Sequence, residues 1–280
     1  MTALSTSGRR AAGAPLTAPR RPQIVTSVHA EWTKLRTSPG NVWLALAAVV
    51  LTIAVSTLAS EVVKCPATCG ADTTKLSLTG ILLGQAAVAG LAIGMISPEY
   101  STGMIKVTLA AMPRRSVMLT AKAIVVSAVV AAIGIVSVLG SLLAGRLIQP
   151  HHGFTAAHGF AALSLAHGPT LRAAAGSVLY LLLVALLSLG LAVALREPAV
   201  AATVVLGLMY VLPLLALVSL SRVWQHRIER WTPMEAGLSI QATRNLAKLA
   251  IAPWPGLGVL AAWTAAALII GYLLLRLRDA

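Results

Sequence analysis

The chain is 280 residues long, 58% hydrophobic and only 11% charged, with a net charge of +14. A soluble domain averages about 25% charged residues, and one core of this size cannot bury so much apolar surface. The basic residues sit at the ends of apolar blocks rather than in one stripe, which excludes a nucleic-acid reader.

Residues 1–23 are rich in Ala, Pro, Ser, Thr and Arg and contain no signal-peptide core, so they read as a disordered, basic cytoplasmic tail. In 24–38, Ile24, Val28, Trp32 and Leu35 fall near a helical period, with Glu31, Lys34 and Arg36 on other faces. That pattern predicts an amphipathic helix in the inner membrane interface, with Trp32 at headgroup depth. A plain juxtamembrane anchor accounts for it equally well.

Six apolar blocks follow within a domain covering 39–280, at about 41–60, 76–96, 119–143, 173–195, 199–220 and 254–275. Each is close to the roughly 20 residues a helix needs to cross hydrocarbon. Lipid offers the backbone no hydrogen-bond partner, so the crossings must be helices, and the alternation of a membrane barrel is absent. The expected fold is an all-α integral membrane protein with six transmembrane helices.

Orientation comes from the basic residues. Arg9, Arg10, Arg20, Arg21, Lys34 and Arg36 precede the first span. Lys106, Arg114, Arg115 and Lys122 lie between spans two and three, Arg196 lies between spans four and five, and Arg276 and Arg278 end the chain. These place both termini in the cytoplasm. The segment 222–253, with Arg222, Arg227, Arg230, Arg244 and Lys248, breaks the rule. Either it is a folded external region with short amphipathic helices, or span five is re-entrant. The first is favoured, because the block is long enough to span and Glu229 and Glu235 offset part of the charge. Cys65 and Cys69 fall in the external 61–75 loop, where a disulfide persists, with two free thiols as the alternative. Further ligands for a metal are missing beside them.

Between spans two and three, Ser97 is placed to cap a helix, Pro98 suits its first position and Glu99 suits the positive end of its dipole. Pro113 ends it. A cytoplasmic helix of roughly twelve to fourteen residues is expected, too short to span. Its apolar residues Met104, Ile105, Leu109 and Met112 need cover from lipid or from a partner.

The run Glu99-Tyr100-Ser101-Thr102-Gly103-Met104-Ile105, then Leu109, Pro113, Arg114 and Arg115, resembles the loop after the second helix of ABC-2 type transporter permeases. The opening Glu31-Trp32-Thr33-Lys34-Leu35-Arg36-Thr37 is similar to the start of actinobacterial members. Pro98 stands where Gly is usual in that family, and Met104 where Thr is common. The resemblance implies the membrane subunit of an ABC exporter in a bacterial plasma membrane. It also implies a homodimer or heterodimer of permeases, with each subunit docking a separate ATPase chain that holds ATP and Mg. The segment after span two would be the coupling helix, and the segment around Glu31 the connecting helix. The chain has no phosphate loop of its own, so neither enzyme activity nor a cofactor is expected in it.

Three other readings compete. A secondary transporter needs ionisable groups inside the spans. The notable polar residues there are Gln85, Thr52, Ser56 and Ser188, while Lys122 and Arg146 lie near span ends where they can snorkel. An intramembrane enzyme would need a cluster such as His151, His152, His158 and His167, but no acid accompanies these and they read as exposed loop residues. A non-transporting anchor or sensor would carry a soluble domain. Gly90 and Gly94 form a small-residue pair suited to helix packing, between subunits or within the chain.

Overall fold

The computed structural model describes residues 23–65, 69–101, 115–218 and 222–277. The tail, apart from its last residue, and the stretch 102–114 lie outside these. Every regular element among the described residues is helical and none is a strand, and six helices are long and apolar enough to cross a membrane. This is the architecture of a multi-pass membrane protein.

Helix α1 (Gln23–Thr37) leads into α2 (Pro39–Val62), the first span, which has proline in its first turn where no backbone donor is wasted. The loop after it carries α3 (Thr73–Ser77), capped by Asp72, whose carboxylate accepts from the Lys75 amide. The second span is α4 (Ile81–Gly94), continued through a turn by α5 (Ser97–Ser101). It begins five residues later than the apolar pattern implied, because 76–80 belong to α3 and a turn. Ser97 is no helix cap. Its hydroxyl donates to the Ile93 carbonyl at 2.8 Å, within a span that runs to Tyr100.

The third span, α6 (Arg115–Ile148), has 34 residues. At about 1.5 Å per residue it is roughly 50 Å long, well beyond a hydrocarbon core of about 30 Å. The fourth is α7 (Gly168–Leu195). The fifth is α8 (Pro198–Leu206), a π-helical turn over Gly207–Val211 and α9 (Leu212–Val218). After α10 (Arg222–Trp231) and α11 (Pro233–Leu238), the sixth span is α12 (Pro253–Leu277).

Loops 61–80, 149–170 and 222–252 meet at one end, here called apical. The Cys65 amide donates to the His152 carbonyl, and Gln149 Nε2 donates to Thr73 O and Ser77 Oγ. Asp72 accepts from the Thr243 hydroxyl at 2.7 Å and the Arg244 amide at 2.9 Å, while Arg244 reaches the Gly159 carbonyl and covers the Phe160 ring. These bonds place Thr243 and Arg244 beside the other two apical loops, and the fifth span, Pro198–Leu215, is long and apolar enough to cross, in keeping with the favoured of the two readings. Cys65 and Cys69 form a disulfide there, with Cys65 buried against Phe154 and Phe160. Gly153 has φ +91°, and a Cβ on it would fall 2.1 Å from the Cys65 carbonyl oxygen, so only glycine fits.

Inside the bundle, α4 and α7 are the most enclosed spans. Small residues set the approach of α4 to α2. A Cβ on Gly84 would lie 1.9 Å from Thr52 Oγ1, and one on Gly94 would lie 2.7 Å from Asn41 Oδ1. Gly90 meets only Leu44, at an ordinary 3.5 Å. The close face is therefore Gly80, Gly84 and Gly94, it works within the chain, and Gly90 is not its centre. Gly84→Val is expected to lower stability by about 1–3 kcal/mol through overpacking, whereas Gly90→Ala stays near neutral. Unfolding midpoints of the two purified variants in one detergent check the contrast.

Candidate functional site

The end opposite the apical loops carries four charged groups in one cluster. Lys122, about two turns into α6, is 0% exposed; Glu31 of α1 is 1% exposed and Glu99 of α5 is 5% exposed. Lys122 Nζ donates to Glu31 Oε2 at 2.7 Å, to Glu99 Oε1 at 2.9 Å and to the Met95 carbonyl at 3.2 Å. All three of its protons are thereby used. Lys34, half-exposed, bridges the same carboxylates, reaching Glu31 Oε1 at 3.0 Å and Glu99 Oε1 at 2.8 Å.

Two ammonium groups against two carboxylates make the cluster neutral as a unit. This decides whether burial is tolerable, because an isolated buried ion costs several kcal/mol even after relaxation. Glu31 uses both oxygens, while Glu99 Oε2 is buried with no hydrogen-bond partner among the described residues. A cavity of about 290 Å³ borders the cluster, with Glu31, Lys34, Ser38, Asn41 and Glu99 in its wall.

The cluster decides how α1 lies. Its inward face is Ser27, Glu31 and Leu35, whereas Ile24, Val25 and Trp32 are exposed. Of the apolar residues of the pattern, Ile24 and Trp32 stay on the outside, where an interfacial helix meets lipid, while Val28 and Leu35 pack against the bundle on the side of Glu31. Lys122 does not snorkel, because two carboxylates reach it first. Arg36 is exposed, as expected of an interfacial residue.

Of the residues marked for coupling, Glu99 sits in the cluster. Tyr100 packs nearby, its hydroxyl donating to the Val193 carbonyl at 3.5 Å and its ring 5.9 Å from the Arg196 guanidinium carbon. Arg115 opens α6. Gly103, Met104, Ile105, Leu109, Pro113 and Arg114 lie outside the described residues. The roots of that stretch, Glu99 before it and Lys122 after it, are joined directly.

A second polar group lies deeper. Tyr180, fully buried, donates to Gln85 Oε1; Gln85 Nε2 faces the Leu82 carbonyl and Met234 Sδ, both at 3.2 Å; Tyr210 also donates to Leu82 O. Tyr210 sits in the π-helical turn, a distortion often found where a helix serves function. Gln85 is conspicuous in the sequence, but the two tyrosines are not. Their signal was a hydroxyl in an apolar block that must find an acceptor.

His152 meets Glu61 at 2.8 Å and His158 meets the Gly153 carbonyl at 2.7 Å. Among the described residues no three His, Cys, Asp or Glu side chains gather as a metal site would require. No family model matches the chain, and no curated protein is a significant match.

Replacing Lys122 by Met leaves two buried carboxylates facing Lys34 alone. The expected loss is about 3–5 kcal/mol, partly recovered in the Lys122→Met, Glu31→Gln double variant, and denaturant titration in detergent measures both. Partial burial works against the charge on Lys34, but its bonds to Glu99 and Glu31 outweigh that and raise its pKa above the ordinary 10.5. Its contribution to stability is therefore complete below the unfolded-state pKa and is lost as pH rises through the higher folded value. The difference in thermal midpoint between wild type and Lys34→Met should stay constant from pH 7 to about 10 and shrink above that.

Proposed function

We propose that the chain is the membrane-spanning permease subunit of an ATP-driven exporter of ABC-2 type, coupled to a separate ATPase chain through the stretch after span two. The observation that carries this reading is the buried cluster Glu31–Lys34–Glu99–Lys122. It fastens both roots of the 102–114 stretch to each other and to α1. A force applied to that stretch is then delivered to spans two and three and α1 together, as coupling over distance requires of a contiguous, stiff network. The chain carries no phosphate loop, so ATP and Mg belong to the partner.

Charge and redox chemistry favour the same orientation. The end bearing α1 and Arg196 faces a cytoplasm, with both chain termini there. The disulfide lies at the other end, where an oxidising exterior preserves it. A bacterial plasma membrane and a dimer of permeases, identical or not, complete the reading.

A proton-driven transporter is the second reading, favoured by one observation: a buried lysine with two buried carboxylates is the kind of intramembrane group such carriers use. Reconstitution separates the two. Tagged chain co-expressed with the phosphate-loop ATPase encoded beside its gene should co-purify with it and stimulate its hydrolysis. Glu99→Ala should retain the partner while lowering ATP-driven transport by about tenfold. Recovery of the chain without any ATPase, together with uptake driven by a pH gradient alone, would reject the exporter in favour of the carrier.

A further inference from the structure

We propose that the chain holds one anionic phospholipid at the apical end of α6, with Arg146 bound to its phosphate and a leucine stripe along its acyl chain. A cavity of about 370 Å³ lies between α6 and the 163–170 segment, its wall including Leu139, Leu142, Leu143, Arg146, Leu163 and Ser164. The volume is within the range of about 300–1,000 Å³ typical of small-molecule sites.

Leu139, Leu142, Leu143 and Arg146 recur at helical spacing, so they form one stripe on α6. Arg146 is 24 residues beyond Lys122 on one unbroken helix, a rise of about 36 Å. With the ionic cluster at one boundary of a hydrocarbon core of about 30 Å, Arg146 reaches the opposite boundary. Leu139 then lies about 10 Å back inside the acyl layer. Leu139 and Leu143 are exposed on the lipid flank while Leu142 and Leu163 are buried, so the cavity opens sideways toward the bilayer.

Charge selects the occupant. No Asp or Glu lies between Glu99 and Glu197 in the sequence. Among the described residues Arg146 makes no ion pair or hydrogen bond. A planar, permanently charged guanidinium suits a phosphate, and the surrounding leaflet supplies one with its chain already parallel to the stripe. Simple snorkelling accounts for the position of Arg146 but not for a walled cavity beneath it.

The test is native mass spectrometry of the full chain in detergent, titrated with phosphatidylglycerol or phosphatidylcholine. Phosphatidylglycerol should be retained about fivefold more strongly, the effect of one interfacial charge. Arg146→Gln should abolish the preference and Arg146→Lys should keep most of it. Ala166→Trp, which leaves the charge in place and fills the cavity from an exposed position, should also lower retention. Equal retention of both lipids by wild type, or unchanged retention in Arg146→Gln or Ala166→Trp, would overturn the site. So would displacement of the lipid by millimolar inorganic phosphate, which would assign the position to a free anion.

Discussion

An ammonium that cannot reach water must be neutralised where it stands, and at Lys122 that requirement organises one whole end of the molecule. Glu31 and Glu99 come from different parts of the chain, and each is buried only because Lys122 and Lys34 are beside it. Removing any one member strands the others in a low-dielectric site, where an unpaired charge costs far more than the pair gains. The placement of α1, the end of span two and the start of span three are thus solutions to one electrostatic problem. Glu99 and Lys122, which lie on either side of 102–114 in the chain, both belong to that solution.

The apical end is held together differently. Its loops are joined by neutral and singly charged hydrogen bonds to backbone groups, by the Cys65–Cys69 disulfide and by the small Cys65, Phe154 and Phe160 cluster. These contacts are partly exposed, whereas three of the four charged groups of the ionic cluster are buried and rely on one another for compensation. Between the two ends, the bundle relies on close backbone approach: Gly84 against Thr52, and Gly190 against Gly271 between α7 and α12. In lipid, packing and such small-residue contacts replace the hydrophobic force between helices. The tyrosine–glutamine group sits among these contacts, where its members satisfy one another.

A permease driven from outside itself needs a stiff input at one end, a deformable middle and a stable frame at the other. The ionic cluster, the π-helical turn of span five and the stitched apical loops match those three requirements in order along the bundle. The match favours the exporter reading over a static anchor, which has no use for a buried charge cluster joining three helices at one end.

The apolar blocks alone determined that the chain is a six-span helical bundle, because lipid leaves a hydrophobic segment of that length no other way to satisfy its backbone. They located most spans to within a few residues, but missed the overhang of α6, since a helix extends past the bilayer wherever polar side chains allow it. Glu31, Lys34 and Glu99 could be marked as notable from sequence, yet their partnership with Lys122 was invisible there. Glu31 and Lys122 are 91 positions apart, and no periodicity within one helix reports a charge on another. For α1 the pattern marked the exposed face of Ile24 and Trp32, but it could not show that Glu31 sits beside Leu35 on the inward side, because its partner there is on another helix. Which groups meet, which glycines touch and which loops Thr243 and Arg244 join were decided only by tertiary structure. Each of these depends on distances between helices that local sequence does not encode.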